Sequence, residues 1–258
     1  MKRILRFVLG CLAVPCAALG LSFAGAALSG EGLGRVPWHA AARHSAGIAP
    51  DPVKLADVAI VQVYSAPTYG WRGLVAQHPW IIFKRAGEKA YTRYDVIGWR
   101  AGRHVQRNYA QPDGLWYGKH PRLLADHRGE AAAAMIGRIE AAIESYPFAN
   151  AYRAYPGPNS NTFLAHIGRQ VPELKLDLPA NAIGKDYRAL DDPFGRSPSG
   201  SGAQISILGL LGMSVGLQEG VEINILGLGF GIDLNAPALR LPFVGRIGWD
   251  DVSVSDDR

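Results

Sequence analysis

The sequence predicts an α+β fold, an antiparallel sheet packed against two main helices and completed by a C-terminal glycine-rich β-hairpin. Three observations carry that prediction. Apolar runs of strand length follow one another in the first half of the chain. Two later segments place apolar residues at helical spacing. The last third then alternates apolar residues with small or polar ones.

Taken in order, Val58 to Tyr64 (VAIVQVY) reads as a buried strand. His78 to Lys84 (HPWIIFK) and Tyr91 to Trp99 (YTRYDVIGW) follow, with Ala86-Gly87-Glu88 as the turn between them. Pro79 suits only the start of its strand, because proline cannot donate to a ladder. Glu130 to Tyr146 is the clearest helix, with Ile136, Ile139, Ile143 and Tyr146 on one face and Pro147 as the stop. A second helix runs from near Asn159 to Val171, with Phe163, Ile167 and Val171 on one stripe and Pro172 after it. Ala203 to Leu217 alternates, turns at Gln218-Glu219-Gly220, and returns over Val221 to Leu234, which reads as one long hairpin. Its second arm carries Gly227, Gly229 and Gly231 on one side. Core packing accounts for that hairpin; resting on lipid is the alternative.

The first thirty residues set the compartment. Lys2, Arg3 and Arg6 precede a run without charge from Phe7 to Gly30. A basic stub before an apolar run is the pattern of an export signal, and Ala24-Gly25-Ala26 offers small residues for cleavage. Retained as a helix, the same run would reach across roughly 30 Å of hydrocarbon. Residues 1–26 are therefore expected to be a signal peptide or a membrane anchor, and 27–56 a linker. Residues 57–249 form a single α+β domain in this reading, and 250–258 an acidic tail. The expected place is the periplasmic side of a bacterial cell envelope, with the membrane as partner through the N-terminal segment.

The chain has 258 residues, 48% hydrophobic and 19% charged, which excludes a collagen, a coiled coil and a disordered chain. Its only cysteines, Cys11 and Cys16, lie in the leader. The remainder thus has no thiol nucleophile, disulfide or Cys-ligated zinc. Without Lys2, Arg3 and Arg6 the balance is 24 basic against 22 acidic groups, so nucleic acid is not an expected partner. Nine basic and three acidic residues fall between Tyr64 and His120, together with Trp71, Trp80, Trp99 and Trp116. That stretch is either a solvated arginine-rich surface with aromatics filling the core, or a cleft for an anionic or carbohydrate-containing ligand. Charge alone favours the former.

Several motifs carry nothing. Gly212-Met213-Ser214-Val215-Gly216 has nucleophile-elbow spacing but sits in alternating strand sequence, with no histidine after His166. Gly184-Lys185 lacks the rest of a phosphate loop. The pairs His39/His44 and His120/His127 are too loosely spaced for a metal, and no cofactor is expected. Asp191/Asp192 and Asp250/Asp251 read as solvated loop residues.

The segment Pro156 to Phe163 (PGPNSNTF) stands apart, because prolines and a glycine lead into a helix that opens on polar residues. Asn159 or Ser160 can be its N-cap. Chemically, a hydroxyl there lies in the positive field of the helix end, beside amides able to hold an oxyanion. A serine nucleophile needs a base, and His78 at the mouth of a strand is the candidate.

Strand-initial His78, then Tyr94 and Asp95 on the next strand, then a helix opening N-S-N-T-F resembles the permuted papain-like fold of NlpC-type envelope peptidases and lecithin-retinol acyltransferase-like proteins. In that superfamily a strand histidine precedes a helix beginning N-C-x-x-F, whose cysteine is the nucleophile. Asn159 and Phe163 match, whereas Ser160 stands at the cysteine position, which removes thiol chemistry. The resemblance implies Ser160 as nucleophile, His78 as base and Tyr94 or Asp95 as its orienting group. The amides of Ser160 to Thr162 would hold the oxyanion. Trp71, Arg72, Trp80, Arg93, Asn159 and Asn161 are the candidate substrate contacts. At closer range V-Q-V-Y, G-W-R-G, Y-T-R-Y, P-G-P-N-S-N-T-F and G-K-D-Y are similar to an uncharacterised bacterial family, the domain of unknown function thirty-seven fifty, over about residues 58 to 249.

Two functions remain open at this stage. One is a Ser/His-dependent hydrolase or acyltransferase acting on amide or ester bonds of envelope material. The other is a non-catalytic module that holds a glycan, peptide or lipid headgroup. The export reading has a direct check: alkaline phosphatase, which depends on disulfides formed outside the cytoplasm, should be active when fused after Arg43. An inactive phosphatase fusion together with an active β-galactosidase fusion at the same point, a reporter that works only in the cytoplasm, would overturn it.

Overall fold

Alternation of apolar side chains decides the first sheet. In the computed structural model, which describes residues 36–249, β1 (Ile60–Pro67), β2 (Gln77–Lys84), β3 (Thr92–Val96), β4 (Val105–Arg107) and β5 (Arg122–Arg128) pair antiparallel in the order β4-β3-β2-β1-β5. Val61, Val63, Ile81 and Phe83 point to one face; Ile60, Tyr64, Trp80 and Ile82 point to the other. Both faces are covered, so β1 and β2 are buried almost throughout. That explains their near-continuous apolar sequence.

Among the described residues two α-helices cover the first face: α1 (Gly129–Glu144) and α2 (Ser160–Gln170). Met135, Ile136, Ile139 and Ile143 of α1 meet Phe163, Leu164 and Ile167 of α2 over the sheet. Fully burying a side chain such as Phe163 contributes about 1.5–3 kcal/mol. The expected helices appear within two residues of their predicted ends, and the expected strands within three. No described helix is long and apolar enough to cross a membrane.

The other face is covered by irregular chain, including part of the expected linker. Asp113 accepts from Ser45 Oγ at 2.7 Å and from the amides of Ile48 and Ala49 at 2.8 and 3.1 Å. Leu115 N donates to His44 O, and Lys84 Nζ donates to the carbonyls of Ala56 and Val58. Residues 44–58 are thus fastened to the sheet rather than spanning a gap. The rest of the expected leader and linker, residues 1–35, and the tail at 250–258 lie outside the described residues.

The C-terminal region corrects the expected hairpin. It is a seven-stranded antiparallel meander: β6 (Phe194–Arg196), β7 (Ala203–Ile207), β8 (Leu211–Gly216), β9 (Gly220–Ile225), β10 (Leu228–Asp233), β11 (Ala238–Leu241) and β12 (Gly245–Gly248). Each expected arm is broken in two by a turn built on a Leu-Gly pair, Leu208-Gly209 and Leu226-Gly227, all four with positive φ. The side chains of Ser206 and Asn224 accept the Gly209 and Gly227 amides and fix those turns.

This sheet is polar inside and apolar outside. Gln204, Ser206, Ser214, Glu222, Asn224 and Arg240 are buried against the rest of the protein. Lys185 Nζ reaches Glu222 Oε2 at 2.9 Å, Asn224 Nδ2 reaches Asp186 Oδ2 at 2.7 Å, and Arg240 pairs with Asp177. Burial pushes the Asp186 carboxyl above its ordinary value. Gly229 makes room for this network, since a Cβ there would lie 2.4 Å from Glu222 Oε1. On the outer face Phe194, Ile205, Met213, Ile223 and Phe230 stand opposite one another in a row across five strands.

The two faces predict opposite responses to truncation. Phe163→Ala should lose about 3–5 kcal/mol in urea unfolding. Ile205→Ala, on the exposed face, should stay within about 0.5 kcal/mol of wild type.

Candidate functional site

His78 is the second residue of β2 and shares a face with Trp80 and Ile82, away from the helices. Its imidazole lies flat on Trp116, with ring centroids 3.7 Å apart and planes 9° from parallel. Extending the Ile81↔Tyr94 register by one step sets Asp95 opposite Trp80 and turns it onto the His78 face. Accordingly His78 Nε2 sits 3.1 Å from Asp95 Oδ1. Tyr94, the alternative orienting group, points to the helix face and stacks on Phe83.

Asp95 is completely buried and doubly held, because Arg93 Nε and Nη2 donate to its two oxygens at 2.7 and 2.8 Å. Burial raises the carboxyl, but the Arg93 charge and the hydrogen bonds from His78 and Arg93 outweigh it and leave the net value low. An ionised carboxylate only accepts, so Nε2 of His78 carries the proton and Nδ1 the lone pair. Burial also lowers the His78 pKa against the opposing pull of Asp95, which keeps the ring neutral. Arg93 further donates to Gln111 O and lies 4.1 Å over the Trp80 ring, while Trp80 Nε1 donates to Pro112 O. Both candidate substrate contacts are therefore buried and committed to the interior. Trp71 and Arg72 are the reverse, exposed on a short 3₁₀ turn at Gly70–Leu74, with the guanidinium over the indole.

At the start of α2 the N-cap is Asn159. Its Oδ1 accepts from Asn161 N at 2.9 Å and Thr162 N at 3.3 Å, while Thr162 Oγ1 accepts from Asn159 N. Two of the three amides expected to receive an oxyanion are thus bonded to Asn159. Asn159 Nδ2 and Asn161 Nδ2 both donate to Ile183 O, and Asn161 Nδ2 also donates to Gln77 O. Gly184 must be glycine: its φ is +95°, and a Cβ would meet Asn159 Nδ2 at 2.6 Å. Ser160 is the first helical residue, buried, with a hydroxyl bonded neither to the cap nor to His78. The Asn161 Oδ1 acceptor is buried and unpartnered. The helix end comes up against the beginning of β2 through Gln77, but His78 turns to the opposite side of its strand.

A family model described as "Protein of unknown function (DUF3750)" matches residues 58–187. The chain belongs to that family. No curated protein and no solved structure matches it. The DUF3750 region thus contains both helices, the five-stranded sheet and every candidate site residue, and it stops before β6.

What the sequence reading missed in this DUF3750 protein is an aromatic wall. Trp99, 59% exposed, contacts the rings of Trp116, Tyr109 and Tyr117 at 6.2, 6.5 and 6.0 Å. Arg43 lies 4.2 Å over Tyr117 and Arg100 5.9 Å over Tyr109. The density of tryptophans and arginines in this stretch was the available signal. Among the described residues no group of three His, Cys, Asp or Glu side chains is placed to hold a metal.

Two outcomes follow from this geometry. Asp95→Ala leaves Arg93 buried and unpaired and should cost about 3–5 kcal/mol, whereas Ser160→Ala, removing an unpartnered hydroxyl, should change stability by less than about 0.5 kcal/mol. Because the folded His78 binds its proton below the ordinary 6.5, the unfolded chain takes that proton first as pH falls. Stability is therefore full above 6.5 and is lost as pH drops through the folded value. The melting temperature should decline below about pH 6.5, and less steeply in His78→Gln, where half-buried His166 retains the same trend.

Proposed function

We propose that this protein is an exported cell-envelope module, permuted papain-like in arrangement, that binds a glycan carrying anionic groups and does not turn it over. One observation carries the reading: Trp99 offers an exposed ring already braced from behind by Trp116, Tyr109 and Tyr117. A braced ring loses little freedom on binding, so it is a preorganised platform for the C–H face of a sugar. Exposed Arg43 and Arg100, each over a ring of the same wall, supply positive charge to a carboxylate or phosphate on that glycan. Export is supported by the basic stub and uncharged run at the N-terminus. The test is calorimetric titration with soluble peptidoglycan fragments. Trp99→Ala should weaken binding by about 2 kcal/mol, the scale of an interface anchor. Unchanged affinity in that variant, or no binding by wild type, overturns the reading.

A second reading, a Ser/His-dependent hydrolase or acyltransferase, is favoured by one specific feature: His78 is held by Asp95 through Nε2 and keeps Nδ1 unbonded. In that reading Ser160 attacks a carbonyl carbon while Nδ1 takes the hydroxyl proton and returns it to the leaving group, a step that requires the His78 ring to swing toward the start of α2. Arg72 would hold an anionic substrate group. Ser160→Cys separates the two readings. A cysteine that reacts with an electrophile faster than free thiol, and loses that rate in His78→Ala, supports catalysis. A cysteine that reacts no faster than free thiol supports the binding module.

A further inference from the structure

We infer that the outer face of the C-terminal meander rests on a phospholipid bilayer, with its aliphatic side chains entering the acyl region. This inference is independent of the glycan reading. The first observation is the inversion of the sheet. Every charged or hydrogen-bonding side chain on β7 to β11 is buried on the inner face, among them Gln204, Glu222, Asp233 and Arg240. The outer face has none. Beside the row that contains Met213 and Ile223, a second row runs Val215, Val221, Ile232, Leu239, Ile247 across five strands without a polar interruption. Met213 and Ile223 are 47% and 48% exposed.

The chemistry of this face selects its occupant. Specific protein interfaces carry about one hydrogen bond per 100–200 Å² and are anchored by Trp, Tyr and Arg. Here several strands offer only Ile, Leu, Val, Met, Phe and Ala between them. From a strand spacing of about 4.8 Å and a rise of about 3.4 Å per residue, the face measures on the order of 500–600 Å². That footprint carries none of the polar groups that would fix a register against a protein partner. Hydrocarbon needs no register, only the absence of groups that must be hydrated. Trp249, 72% exposed at the end of β12, stands at the margin of the face, where an indole suits the headgroup level. The uncharged run from Phe7 to Gly30 belongs to the same chain and supplies a second apolar element for the same bilayer.

The experiment uses the full chain with Cys11→Ser and Cys16→Ser. An environment-sensitive fluorophore is placed through Met213→Cys or Ile223→Cys, and through Lys89→Cys on the exposed β2–β3 turn as a control. Each protein is reconstituted into vesicles of phosphatidylethanolamine and phosphatidylglycerol with and without acyl-chain nitroxide lipid. Positions 213 and 223 should lose emission to the nitroxide while position 89 keeps it. Equal behaviour of all three positions overturns the proposal. So does cross-linking of position 213 to a second copy or to residues 1–35 without quenching, because the face then has a protein occupant. Ile232→Glu with Val221→Glu, at exposed positions, should preserve the circular dichroism spectrum and abolish quenching at 213; quenching that survives both charges also overturns it.

Discussion

A carboxylate with no access to water has to be neutralised where it sits, and Asp95 imposes that demand on everything near it. Arg93 meets it from two residues away and His78 from the neighbouring strand. Because Arg93 is then itself buried, its remaining donors must be satisfied, and the Nη1 bond to Gln111 O draws the loop after β4 across the sheet. That loop brings Trp116 against His78 and Asp113 against the amides of residues 48 and 49. Breaking one partner of such a cluster is costly because the others stay buried. The second face of the sheet is therefore closed by a polar clamp, whereas the first is closed by helices and aliphatic contact.

The parts legible in the sequence were those governed by local period. The helix at 129–144 showed itself through Ile136, Ile139 and Ile143, and the second helix through Phe163 and Ile167 after a polar cap. The choice between Tyr94 and Asp95 was not legible, since adjacent residues face opposite sides and only the pairing with β2 fixes which one meets His78. The stacking of His78 on Trp116 joins residues 38 positions apart through a loop without periodicity, so no pattern announces it. The split of each C-terminal arm was hidden for another reason. Its turns are Leu-Gly pairs flanked by apolar residues, and the polar groups that fix them, Ser206 and Asn224, sit three residues ahead and look like ordinary strand positions. Of the candidate site, the sequence singled out residues by type and position, but it could not say to which side of the sheet each one turns. The α2 end meets the beginning of β2 through Asn161 and Gln77, while the His78 ring is held on the other face of the sheet by Asp95 and Trp116.

The family match ends at residue 187, immediately after the two residues that receive the meander. Lys185 and Asp186 are buried and engage Glu222 and Asn224, and Arg169 of α2 adds bonds to Lys185 O and Gln204. The second sheet is thus joined to the first region through charge and amide groups rather than through aliphatic packing. That inverts the usual division, in which the inner side of a sheet is its apolar side. The α2 cap is part of the same junction, because Ile183 O and Gly184 O are the acceptors for Asn159, Asn161 and Thr162.

The ends of the meander have a consequence for solubility. Its two edge strands are short, β6 with three residues and β12, like its neighbour β11, with four. Each carries an arginine, Arg196 or Arg246, and β12 is bounded by Gly245 and Gly248. An open edge is a template for strand addition, and short, charged, glycine-bounded edges blunt it. A wide aliphatic sheet with long free edges would grow from chain to chain into a fibre. Among the described residues this one is truncated on both sides, which disfavours growth by strand addition at its edges.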